Sequence, residues 1–168
     1  MARRYGVPTV RVGDTLPDEQ SEETVISCTE FIPAYSELFK FLEQKGGKKA
    51  VEDFWYYLSD TCLTNLKDLV KKHGIQGCWL YWSHTLNEEA ADFTMELDEE
   101  KGEFKIRMHY CPSKGRLLKY KHIQPYYDYC QHCDVLYRRI LEPLGYHCEL
   151  DLSGCARAKC IFIVRGTP

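Results

Sequence analysis

The chain has 168 residues, 44% hydrophobic and 28% charged, with a formal net charge of −3. That is the length of one globular domain, and the slight acidity argues against a nucleic-acid or anionic-membrane partner. Nine cysteines are many for a reduced compartment, but the odd count and the lack of an early apolar run of secretory length argue against a disulfide scaffold. The expectation is a soluble, cytoplasmic protein with no membrane-spanning stretch.

Residues 1–24 are polar, with scattered Pro and Gly, and read as an extended arm ahead of a single domain over 25–168. Pro33 opens a short helix that presents Tyr35, Leu38, Phe39 and Leu42 on one face and stops at Gly46-Gly47. A second helix carries Val51, Phe54, Trp55, Leu58, Cys62, Leu66, Leu69 and Val70 at helical spacing and ends at Gly74. On this face Cys62 is expected in the core. Residues 77–89 are expected to be helical too, although Trp79, Tyr81 and Trp82 would also suit a strand.

The period then changes to two. Phe93, Met95 and Leu97 alternate with polar residues, and so do Phe104, Ile106 and Met108 after the turn at 99–102. The register predicts Leu97 opposite Phe104, Met95 opposite Ile106 and Phe93 opposite Met108. On the other face it sets Glu96 opposite Lys105 and Asp92 opposite His109. Short helices over 112–121 and 128–142 follow, and a second hairpin closes the chain with Tyr146, Cys148, Leu150 and Leu152 on one face. The fold class is α+β: a helical N-terminal half and an antiparallel sheet from two hairpins, about 91–110 and 146–165, joined by helices.

Two stretches carry chemistry. Cys111 follows a strand and precedes Pro112, so its thiol stands at a helix N-terminus that favours thiolate. His109 lies two residues back, and Asp92 is expected beside it. Cys111, His109 and Asp92 are therefore a candidate nucleophilic cluster, unless their strand face is only the solvated side of a hairpin. The stretch "CQHCD" places Cys130 and Cys133 on one helix face, with Asp134 at i+4 from Cys130 and His132 between the thiols. These residues are candidates for substrate binding, with Lys114 of the basic tract Lys114–Lys121 drawing in an anionic group. Alternatively, Cys130, Cys133 and Cys160 are metal ligands, leaving zinc or an iron–sulfur cluster open as cofactor. A third reading is plain packing, since a buried cysteine behaves as a small hydrophobe.

The segments "HYCP", "CQHCDVLYRRILEPLGY" and "GCARAKCIFIV" resemble the L-2-amino-thiazoline-4-carboxylic acid hydrolase-like family. That family carries a cysteine after the central strand and a cysteine-rich helix. More loosely, the pair Cys155 and Cys160 with Phe162 resembles the four-vinyl-reductase-type ligand-binding domains. The first resemblance implies a cysteine-dependent hydrolase acting on a small C–N or C–S bonded compound. The second implies a non-catalytic module, a sensor or accessory subunit, that binds a small ligand or a metal. Either implies a small-molecule partner, and a homodimer is open to both.

Overall fold

Two glycines shape the first helix. The computed structural model describes residues 30–89 and 91–166; the arm expected over 1–24, and Cys28, lie outside the described residues. Helix α1, Phe31–Cys62, leaves helical geometry at Gly46 and Gly47, where Gly47 takes φ 70°. The chain folds back there. Phe39 and Trp55 have ring centroids 5.3 Å apart, whereas a straight helix would hold them roughly 24 Å apart. The two arms form an αα-hairpin whose buried stripe is Ser36, Phe39, Val51, Trp55 and Ser59.

The helix expected from Val51 to Gly74 is broken at Leu63, where α2, Thr64–His73, begins. Burial runs through Val51, Trp55, Ser59, Leu63, Leu66 and Val70. This stripe leaves Cys62 exposed, against its expected place in the core. The buried row in α1 is Val51, Trp55 and Ser59, continued by Leu63, one residue along from Phe54, Leu58 and Cys62, so Cys62 falls on the solvent side. Helix α3, Gln76–Glu88, resolves the ambiguity of the Trp79–Trp82 segment in favour of helix.

Strands β1 (Asp92–Asp98), β2 (Glu103–Tyr110), β3 (Tyr146–Asp151) and β4 (Cys160–Gly166) form one antiparallel sheet in the order β1-β2-β4-β3. The predicted pairs Leu97–Phe104, Met95–Ile106, Phe93–Met108 and Glu96–Lys105 are all present. Asp92 is not opposite His109: the register shifts there and Asp92 pairs with Tyr110, leaving His109 as the extra residue of a bulge. One sheet face carries Phe93, Met95, Phe104, Ile106, Cys148, Phe162 and Val164, all buried. Trp82 of α3 stacks on Phe104 at 5.5 Å and meets Phe162 at 5.5 Å. The opposite face is polar and pairs its charges, Arg165 with Glu103 at 2.8 Å and with Glu149 at 2.7 Å.

Helix α4, Pro112–Lys119, leaves the sheet at Cys111, and α5, Gln131–Leu141, returns to it. α5 starts later than the expected 128 because Tyr127–Cys130 form a turn. Among the described residues the buried side chains form two clusters. One lies between α2, α3, α5 and the sheet; the other holds Phe39, Val51, Trp55, Leu117, Tyr126 and Tyr129. Leu136 of α5 packs against both. No helix among the described residues is long and apolar enough to cross a membrane.

Candidate functional site

The sheet, α4 and α5 converge where β2 ends, and the chain has concentrated its thiols there. Cys111 is the N-cap of α4, and its Sγ accepts the Lys114 backbone N–H at 3.4 Å. The Cys111 N–H donates to the Ala158 carbonyl at 2.7 Å, which ties this junction to the turn between β3 and β4. That turn carries Cys155 at the start of a short 3₁₀ segment, Cys155–Arg157. Cys160 opens β4 opposite Met108, on the face that looks toward the helices. Cys130 is the N-cap of α5 and Cys133 lies in its first turn. Each of these five residues is half-buried.

Around Cys111, Cys130, Cys133 and Cys160 the environment opposes ionisation. Burial, reinforced by the neighbouring Cys111 and Cys155, pushes Cys130 up to about 11, although the Lys114 ammonium works the other way. Burial likewise raises Cys160 to about 12, and it raises Cys133 well above the ordinary thiol range, with Cys111, Cys160 and Cys130 adding to it. Cys111 moves up as well. The helix N-terminus does favour its thiolate, through the Lys114 and Ser113 N–H groups, but desolvation outweighs them. The expectation of a Cys111 thiolate is therefore corrected.

His109 is on the polar side of the sheet, with Nε2 2.7 Å from the Thr94 hydroxyl. The pairing expected to bring Asp92 beside His109 is not formed, because Asp92 stands opposite Tyr110. Asp134 is drawn off by Arg138, whose guanidinium lies 2.7 Å from it and also reaches Glu142 at 2.8 Å. These groups line a groove of about 560 Å³ outside the thiol site, together with Tyr56, Asp60 and Arg139. A smaller groove of about 250 Å³ runs past His109, Lys159 and Cys160.

Lys114 is half-buried beside Cys111 and Cys130, with its ammonium 6.0 Å from the Tyr129 ring centroid.

His132 and Cys133 form a pair that spacing did not announce. Cys133 Sγ is 3.4 Å from His132 Nε2. His132 Nδ1 donates to the Tyr129 carbonyl, which fixes the ring and leaves Nε2 as the acceptor for the thiol. Burial lowers His132 to about 4, so the imidazole is neutral at pH 7. Consecutive residues on a helix do not face each other; here the imidazole curls back over the preceding turn. Tyr129 is itself anchored, its hydroxyl 2.7 Å from that of Ser113 in α4. Tyr35 meets the His132 ring edge-on at 5.4 Å. Glu89, at the end of α3, has its carboxyl raised by burial and lies near enough to Cys111 and Cys133 to oppose their ionisation.

Among the described residues, no group of three or more His, Cys, Asp or Glu side chains is arranged to hold a metal ion. Cys130, Cys133 and Cys160 are neighbours without converging on one point. No protein-family model matches the chain, and no curated protein or solved structure matches it either.

Proposed function

We propose that the protein is a cytoplasmic, cysteine-dependent hydrolase of a small C–N or C–S bonded compound, with Cys133 as nucleophile and His132 as its base. The observation that carries this reading is the contact of 3.4 Å between Cys133 Sγ and His132 Nε2, with the ring held from behind by Tyr129. A nucleophile, a base within reach and a group that orients the base are what nucleophilic catalysis requires. Burial disfavours a free imidazolium–thiolate pair, so His132 Nε2 takes the thiol proton only as the bond from Sγ to the electrophilic carbon forms, and returns it to the departing nitrogen or sulfur. Water then releases the acyl-type intermediate from Cys133. Lys114 is the available cation for an anionic group on the compound.

A second reading, a ligand-binding module without catalysis, is favoured by one observation: burial holds Cys111, Cys130, Cys133 and Cys160 as neutral thiols. The same experiment separates the two. The protein is incubated with a panel of small amides, thioesters and cyclic C–N or C–S compounds, and product and covalent adducts are followed by mass spectrometry. The hydrolase reading expects turnover and an adduct on Cys133, both lost in Cys133→Ser and kept in Cys111→Ser. Saturable binding of panel members without turnover or adduct overturns it in favour of the binding module.

A further inference from the structure

The polar face of the sheet carries charge laid out across its strands. Arg107 of β2 stands opposite Ile161 of β4, and Ile161 stands opposite Asp151 of β3. Ile106 and Phe162, next to them in sequence, are buried on the other face, so this row points away from the core. A cation, an apolar side chain and a carboxylate thus lie side by side, the outer two about 10 Å apart at Cα. The row lines the groove of about 250 Å³, together with Ser153, Gly154 and Lys159 of the β3–β4 turn. The Ser153 N–H donates to Asp151 Oδ1 at 2.8 Å and holds the carboxylate in place. The turn is held as well. The Lys159 N–H donates to the Gly154 carbonyl at 3.1 Å, and a Cβ on Gly154 would lie 2.9 Å from the Lys159 carbonyl oxygen, so glycine is what lets the turn close. Among the described residues neither Asp151 nor Lys159 has an ion-pair partner, and Arg107 has one loose contact, with Glu96 at 3.5 Å. His109 also lines the groove but is engaged by the Thr94 hydroxyl at 2.7 Å.

We propose that this groove binds a small apolar α-amino acid as its zwitterion. Asp151 receives the ammonium group, Arg107 and Lys159 receive the carboxylate, and the aliphatic side chain rests on Ile161. Opposite charges on one row select a ligand that carries both. A simple anion would be repelled by Asp151, and a simple amine by Arg107 and Lys159. The groove is smaller than the roughly 300 Å³ at which pockets for drug-sized molecules begin, which suits a ligand of a few heavy atoms. None of these residues belongs to the Cys133–His132 couple, so the inference goes beyond the hydrolase reading and does not depend on it.

The test titrates the full-length protein with L-valine and with its two half-ligands, 3-methylbutanoate, which lacks the amine, and 2-methylpropan-1-amine, which lacks the carboxylate. Amide shifts are followed by two-dimensional NMR. L-valine should give saturable shifts at Ser153, Gly154 and Ile161, and each half-ligand should bind at least about fivefold more weakly, a discount from a buried charge-assisted bond because the groove is open. Asp151→Asn, which can still accept the Ser153 N–H, should remove the preference for L-valine over 3-methylbutanoate. Arg107→Met should weaken L-valine by about fivefold, while Cys133→Ser should bind it unchanged. Several results overturn the proposal: no saturable shift at these amides, equal binding of L-valine and either half-ligand, a preference that survives Asp151→Asn, undiminished binding by Arg107→Met, or loss of binding in Cys133→Ser.

Discussion

His132 is the residue whose environment has the plainest measurable consequence. Burial lowers it from the ordinary 6.5 to about 4. Between those values the unfolded chain binds a proton that the folded chain does not. The stabilisation is thus fully present above about pH 6.5 and is lost as the pH falls toward 4. A shift of that size corresponds to about 3 kcal/mol at most. Urea unfolding at pH 7 and pH 4.5 should show a larger loss for the native sequence than for His132→Gln, which cannot titrate. Equal losses in the two proteins would show that the imidazole is not desolvated as described. The pairing with Cys133 was hidden from the sequence because it depends on a side chain folding back onto its own turn, which residue spacing does not encode. The error at Asp92 is of the same kind: a single bulged residue at His109 moved the expected neighbour one position along.

At the scale of elements, the strands and most helix limits were legible because periodicity and glycines carry them. Gly46-Gly47 and Gly74 end or bend helices where the sequence says they should. The break at Leu63 was not legible, because a stripe spaced by four looks the same in one helix as in two. Gly77 shows what element packing demands. A Cβ there would lie 2.5 Å from the Leu69 carbonyl carbon and oxygen and from the Val70 nitrogen. These are backbone atoms of α2, so they cannot rotate away, and α2 and α3 would have to separate. Gly77→Ala gains about 1 kcal/mol of helix propensity. The overpacking costs up to about 3 kcal/mol. The net expectation is a loss of about 2 kcal/mol, seen as a melting temperature lower by roughly 5 °C. An unchanged melting temperature would mean that the two helices are not held this close.

For the whole molecule, the decisive fact is that two apolar clusters share a single helix. Leu136 touches both, and Ser59 of α1 donates to its carbonyl at 2.8 Å, so α5 is the seam between the αα-hairpin and the sheet. Leu136→Ala should cost about 2 kcal/mol, at the low end for leucine truncation because the side chain is only half-buried. It should also loosen the coupling. Amides of α1 should exchange through a separate opening of lower free energy, while those of β2 and β4 keep the global value. Uniform weakening of every amide would instead mean that the clusters open together. The thiol site lies along the same seam, which is why residues from β2, α4, α5 and β4 meet there although the sequence scatters them from 111 to 160.

The placement of the indole rings gives each cluster its own lamp. Trp55 sits at 1% exposure in the α1 cluster, its Nε1 buried without a hydrogen-bond partner among the described residues. Trp82 sits at 2% in the other, stacked on Phe104. The two rings are shielded from water in separate surroundings, and Trp79 packs at the margin of the Trp82 group. Emission from a protein keeping only Trp55 therefore follows the hairpin, and emission from one keeping only Trp82 follows the sheet. Opening of either half becomes visible as a change of colour in that half alone.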